Sequence, residues 1–294
     1  MNFLQRIGYS NLLLLAFGLL IFRYGFLDLQ AGLPLALKHG HYIIMVLASV
    51  LIAAGGFLIN NYHANEDKAS EGKVYTTYAL LTITGIGLGY YLSNCIGKSM
   101  VVIVFVIAAA IIYLYATSLK QMLLVSNFIV ATAVAMGIIV IVVYNLYPII
   151  VPSNQVYLAT IFDLMLDYTL FIFIITFILT LVYNLRDTDA DYNSGNTTLP
   201  IAIGKDRAVK IVFALTLVPL ALMLYYGDKY LSNLIWSLGY GLLFMVAPII
   251  YFLVKLWTAK TKQDFNHLIT ILKLFLLFTV ISIAVITYNI NINA

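Results

Sequence analysis

The chain has 294 residues, of which 63% are hydrophobic and only 10% charged, and its mean hydropathy is +1.00. That composition excludes a water-soluble globular domain and predicts an integral membrane protein. The formal net charge is +4 and the pI about 8.9, but no basic cluster is interleaved with aromatics on a soluble face, so no nucleic-acid partner is expected. The single cysteine, Cys95, rules out an internal disulfide and a thiolate metal cluster.

A hydrocarbon layer of ~30 Å needs ~20 apolar residues per spanning helix. Against that length the chain predicts nine helices, near 11–28, 42–60, 75–92, 99–117, 122–146, 157–184, 208–226, 233–254 and 268–288. The apolar runs are continuous, which argues against a membrane barrel, whose strands alternate over ~10 residues. The expected fold class is therefore an all-α bundle of nine transmembrane helices in a single domain, 1–294. Arg6 followed by the run from Leu12 imitates a signal peptide, but the many later spans predict an uncleaved first helix.

With the N-terminus inside, Arg6, Lys68, Lys73, Lys120, Arg186, Lys205, Arg207, Lys210, Lys255, Lys260 and Lys262 fall on the inner side, with Lys273 close to it. Lys38, Lys98 and Lys229 fall outside, with Arg23 near that side. The asymmetry predicts a multi-pass protein of the cell's inner membrane whose N-terminus and polar motifs face the cytoplasm.

In chain order, Asn11 opens the first helix, and Lys38, His39 and His41 lie in the first outer loop, where hydration accounts for them. Helix two carries Ala53-Ala54-Gly55-Gly56 and helix three Gly85, Gly87 and Gly89, small residues that allow helices to approach closely. Helix two ends in a polar cluster, Asn60-Asn61-Tyr62-His63-Ala64-Asn65-Glu66-Asp67-Lys68. Asn127, early in helix five, is expected to make an interhelical hydrogen bond. Asp163 and Asp167 belong at the outer surface, at the start of helix six. Lys273 either snorkels to the surface or points at an anionic ligand.

The stretch after helix six, Arg186 to Pro200, holds three carboxylates where a spanning helix leaves the hydrocarbon. A carboxylate there costs free energy unless paired, hydrated or metal-bound, which marks it as a candidate site. If the helix continues, Asp187 and Asp191 lie one turn apart on one face while Asp189 points elsewhere. Two such carboxylates suit a hard divalent cation, and magnesium commonly bridges carboxylate and phosphate.

Nine spans, a helix-two end beginning with Asn, the Ser118-Leu119-Lys120 turn and Asp187-x-x-x-Asp191 followed by Gly195, Thr198-Leu199-Pro200 and Gly204 look like the UbiA-type intramembrane prenyltransferase superfamily. The likeness covers essentially the whole chain. It is strongest to bacterial relatives of enzymes that attach geranylgeranyl groups to glycerol-phosphate lipids. The resemblance implies a central cavity open to the cytoplasm and the lipid, Mg2+ as cofactor, a prenyl diphosphate donor and a lipophilic acceptor. It further implies catalytic roles for Asp187, Asp191, Asn60 and Asp67, with metal held by Asp187, Asp191 and Asp67. Substrate contacts fall to Asn11, Asn61, Lys120, Lys205, Arg207 and Lys273, with Lys68 and Lys73 in the inner loop, and Tyr115 and Tyr183 near the same level could face a cation.

The first motif departs from the family pattern Asn-x-x-x-Asp-x-x-x-Asp. Counting from Asn60 meets Ala64 and Lys68, and from Asn61 meets Asn65 and Ala69; a one-residue deletion places Asp67 at the second acidic position, beside Glu66. The basic residues usual around the motif's glycine are also replaced, by Tyr192, Asn193, Asn196 and Thr197. A non-catalytic relative that binds a prenyl lipid therefore stands beside the enzyme as an alternative, with a small-ion transporter as a weaker one.

Overall fold

The computed structural model of the chain describes residues 2–63, 70–231 and 234–293, with the backbone alone at Lys120 and Asn293. Among the described residues the secondary structure is helical throughout, with no strand. Nine long helices among the described residues follow the expected order: α1 Tyr9–Tyr24, α2 His39–His63, α3 Glu71–Cys95, α4 Ile103–Thr117, α5 Val125–Asn145, α6 Gln155–Arg186, α7 Lys205–Tyr226, α8 Ile235–Thr258 and α9 Lys262–Asn293. Eight of them are long and apolar enough to cross a membrane. The exception is α3, whose 25 residues are long enough but whose threonines, tyrosines and glycines dilute its apolar character.

Contacts divide the chain into two compact units. The first holds residues 1–23, 30–120 and 135–169; the second holds 24–29, 121–134 and 170–294. Helices α5 and α6 each contribute a segment to both.

In the first unit α2 packs against α3 and α4 through small residues. A Cβ on Gly56 would stand 2.0 Å from Ile112 Cγ2 of α4, and one on Gly89 of α3 would stand 2.4 Å from the Phe105 ring. Neither is sterically possible without repacking, so these glycines set the helix separation. Gly87, expected to join them, meets nothing within 4 Å and takes no part. Its neighbours at i±2 occupy the packed face, and a helix turns position 87 away from it.

A buried polar network that the sequence did not announce ties α1, α2 and α5 of this unit together. Arg23 is only 3% exposed. Its Nη1 donates to Asn145 Oδ1 at 2.8 Å and its Nη2 to the Leu37 carbonyl at 2.9 Å, and the guanidinium lies 5.2 Å from the Tyr42 ring centre. Tyr42 in turn donates to the Leu19 carbonyl, and the Ala36 N–H donates to the Asn145 carbonyl at 3.2 Å. Arg23 thus belongs to the interior of this unit. Buried charge is retained only where several such partners replace lost water. Nearby, Tyr144 donates to the Gly89 carbonyl at 3.0 Å and shares a 2.8 Å hydrogen bond with Ser93.

In the second unit α7, α8 and α9 pack in sequence order. Helix α8 contains a π-helical turn, Gly241–Val246, immediately before Pro248. Proline lacks an N–H and crowds the preceding turn, and the wider turn absorbs that conflict. Helix α9 starts with a reciprocal cap: the Asp264 carboxylate accepts from the N–H groups of Lys260 and Thr261 at 3.0 and 2.8 Å, while the Thr261 hydroxyl accepts from the Asp264 N–H at 3.2 Å. Trp236 and Trp257 lie exposed near the two ends of α8, as an aromatic belt requires.

Candidate functional site

The second unit builds the candidate site around the end of α6. The helix stops at Arg186, Asp187 leaves helical geometry at φ −99° and ψ 13°, and a short helix, Thr188–Asn193, follows. The Thr188 hydroxyl donates to the Asn184 and Leu185 carbonyls at 3.0 and 3.1 Å, satisfying groups that a helix end leaves open. Across the break the Asp191 N–H still donates to the Asp187 carbonyl at 2.9 Å. The expected one-turn spacing of Asp187 and Asp191 therefore survives even though the helix does not run through.

Each carboxylate is held. Arg186 grips Asp187 with a fork, Nε on Oδ1 at 2.8 Å and Nη2 on Oδ2. Arg186 Nη1 donates to Asn266 Oδ1 of α9 at 3.1 Å, and its guanidinium lies 4.8 Å from the Tyr183 ring centre. Asp191 Oδ1 accepts from Asn196 Nδ2 at 3.0 Å, and the Asn196 N–H donates to the Asp191 carbonyl at 2.9 Å. The chain folds back to make this second pair at Gly195, whose φ of +73° suits a residue without Cβ. The Thr197 N–H then docks on the Gln121 carbonyl at 3.1 Å, fixing the motif to the turn before α5.

Asp189 takes the other side of the short helix. With Thr188, Tyr192, Asn193 and Ile201 it lines an open hollow of about 310 Å3 in which neither Asp187 nor Asp191 takes part. Below the break, Asn184 Nδ2 donates to Asn127 Oδ1 at 3.2 Å, so Asn127 makes the interhelical hydrogen bond expected of it.

Of the expected cationic contacts, Lys273 is half-buried with its ammonium 5.8 Å from the Tyr183 ring centre, so Tyr183 receives both Lys273 and Arg186. The Lys205 ammonium donates to the Lys260 carbonyl at 3.3 Å and lies 4.8 Å from the Phe265 ring centre. Arg207 is exposed on the first turn of α7. The backbone of Lys120 lies in the turn Leu119–Gln121.

The first unit holds the helix-two cluster. Asn61 is structural in part, since its Nδ2 donates to the Arg6 carbonyl at 2.9 Å and ties α2 to the short N-terminal helix Phe3–Arg6. Asn60 differs: its Oδ1 is buried and has no hydrogen-bond partner. A buried amide oxygen without a donor is costly, and such an atom suits a cation or a donor brought by a ligand. Asn11 is half-buried in the first turn of α1. Asp67 and Lys68 lie outside the described residues.

Among the described residues no three His, Cys, Asp or Glu side chains gather as a preformed metal cage. The carboxylate oxygens of Asp187 and Asp191 nevertheless fit a hard divalent cation that keeps its waters and takes phosphate oxygens, because magnesium uses one or two carboxylates plus substrate phosphates in preference to an all-protein cage. Sequence reasoning missed Asn196 and Asn266, and the signal was present: an amide in so apolar a chain, next to an acid or on a helix end facing one, needs a polar partner.

No protein-family model matches the sequence, and no curated protein matches it. Solved structures do. The chain aligns with a digeranylgeranylglyceryl phosphate synthase at a TM-score of 0.67 and 19% identity, covering 97% of each chain. It aligns with a UbiA homologue from Aeropyrum pernix K1 at 0.62 and 15%, covering 100% of this chain and 99% of that one. A UbiA homologue from Archaeoglobus fulgidus, bound to DMAPP and Mg2+, aligns at 0.61 and 13%, covering 97% of this chain and 100% of that one. The fold is thus that of the UbiA-type intramembrane prenyltransferases.

Proposed function

We propose that this chain transfers an isoprenyl group from a prenyl diphosphate to a lipophilic acceptor inside the membrane, with Mg2+ as cofactor. The observation that carries the reading is the pair Asp187 and Asp191, one turn apart where α6 ends, in a chain whose fold along its length is that of the UbiA homologues. The Archaeoglobus homologue was solved with DMAPP and Mg2+, which supports the donor class and the metal.

In this reading Asp187 and Asp191 hold the cation together with Asp67, and Asn60 is a further catalytic residue. Asn196 keeps the Asp191 carboxylate oriented. Lys273, with Lys120, Lys205 and Arg207, lowers the negative charge of the diphosphate, and Asn11 and Asn61 complete the polar lining. Bound Mg2+ supplies charge neutralisation for the leaving group. The allylic C–O bond breaks with its electron pair going to the diphosphate, a nucleophilic atom of the acceptor bonds to the freed carbon, and that atom's proton passes to solvent. Preorganised cations stabilise the charge that develops in this step. The lysine and arginine distribution supports a cytoplasmic position for this end of α6.

The fork of Arg186 on both oxygens of Asp187 favours a second reading, a relative that binds a prenyl lipid without turning it over. Pyrophosphate release from geranylgeranyl diphosphate by purified protein decides between them. The enzyme requires Mg2+ and loses at least ~100-fold in rate in Asp187→Ala and Asp191→Ala, on the scale of a lost transition-state charge contact; a binder retains the lipid and releases nothing in any of the three.

A further inference from the structure

The cation and Arg186 compete for the same carboxylate. The Arg186 fork occupies both oxygens of Asp187, and a Mg2+ ion coordinates a carboxylate oxygen at ~2.0–2.1 Å, too close to tolerate a guanidinium on that oxygen as well. Two cationic groups on one carboxylate also repel each other. Loading Asp187 with metal therefore displaces at least one arm of the fork. The pair is half-exposed, with 27% of the Arg186 and 37% of the Asp187 side chain accessible, and ion pairs so placed are weak and readily exchanged.

The displaced guanidinium remains tethered. Nη1 is anchored on Asn266 Oδ1, and the group lies against the Tyr183 ring, the same ring that Lys273 approaches. An arginine released there presents a planar pair of donors, which matches phosphate oxygens bidentately, beside an ammonium that binds them as a point charge. We infer that Arg186 is an exchange residue: it neutralises Asp187 while the site is empty, yields that carboxylate to the divalent cation, and turns its freed donors, together with Lys273, onto the diphosphate. Asn266 and Tyr183 are positioning residues that hold the guanidinium through the exchange. The consequence is coupling. Metal alone binds poorly because it must displace the fork, whereas metal with diphosphate gives the displaced guanidinium a strong new partner.

This inference rests on the proposed carboxylate site, and binding measurements separate the two. Mn2+ affinity is read by electron paramagnetic resonance in detergent, with and without inorganic pyrophosphate, for the wild type, Asp187→Asn, Arg186→Gln and Arg186→Lys, each checked for an unchanged melting profile. Arg186→Gln is expected to bind Mn2+ alone roughly two- to fivefold tighter than wild type, the range that a half-exposed ion pair can withhold. The same variant is expected to lose roughly tenfold or more of the affinity gain that pyrophosphate confers, the effect of charge-assisted hydrogen bonds. Arg186→Lys, which keeps the charge but not the fork, falls between. Unchanged or weaker Mn2+ binding in Arg186→Gln, with binding still lost in Asp187→Asn, overturns the exchange while leaving the metal site standing. Mn2+ binding indifferent to Asp187→Asn overturns the site itself and the inference with it.

Discussion

Among single residues, asparagine does much of the polar work in this chain. Asn145 accepts from the buried Arg23, Asn184 bonds Asn127, Asn196 orients Asp191 and Asn266 anchors Arg186. In an apolar surrounding an amide supplies donors and an acceptor without the cost of moving a charge out of water. Replacing Asn145 by Leu removes the acceptor for Arg23 Nη1 and leaves a buried charged donor short of a partner. A loss of ~1–3 kcal/mol is expected, seen as a lower melting temperature in detergent, whereas an unchanged melt would mean that the other contacts of Arg23 suffice without Asn145. Asp187 and Asp191 were legible as a candidate site because their spacing is local and a short motif states it. Their partners were not, since Asn266 lies 80 positions from Arg186 and nothing in the order of residues tells which two helix ends meet.

The elements illustrate the same division. Continuous apolar runs announced eight of the nine long helices, because hydrocarbon thickness dictates length and leaves only the ends open, while α3 was legible from a run that threonines, tyrosines and glycines dilute. The break at Asp187 and the π turn before Pro248 depend on how polar groups and a missing N–H are accommodated locally, which periodicity does not encode. Glycine-rich faces were visible, but not which glycines face a neighbour. Gly56 against Ile112 and the open surroundings of Gly87 supply a paired test. Gly56→Ala is expected to destabilise by ~1–3 kcal/mol through overpacking, while Gly87→Ala, in an open helical position, is expected to be neutral or to stabilise by ~0.5–1 kcal/mol. Equal melting shifts for the two would contradict the close approach of α2 and α4.

For the whole molecule, composition settled the membrane class and the motif spacing suggested the fold, which the alignment with UbiA homologues along the full chain bears out. The lysine and arginine distribution predicts a cytoplasmic N-terminus, and Cys95 offers a direct check of that orientation because it is exposed. A membrane-impermeant maleimide applied to intact cells is expected to label Cys95 from outside, while Asp189→Cys in a Cys95→Ser background reacts only after the membrane is opened; the reverse pattern would invert the proposed orientation. The central claim is chemical, and one measurement addresses it: mass-spectral detection of a prenylated lipid after purified protein in liposomes of total lipid extract is given geranylgeranyl diphosphate, with Mg2+ or with chelator, beside Asp187→Ala. The account predicts a product heavier than its acceptor by one geranylgeranyl group, formed only by the wild type and only with Mg2+. A donor that binds yet returns unconsumed under every condition would contradict it and leave a lipid-binding protein on this fold.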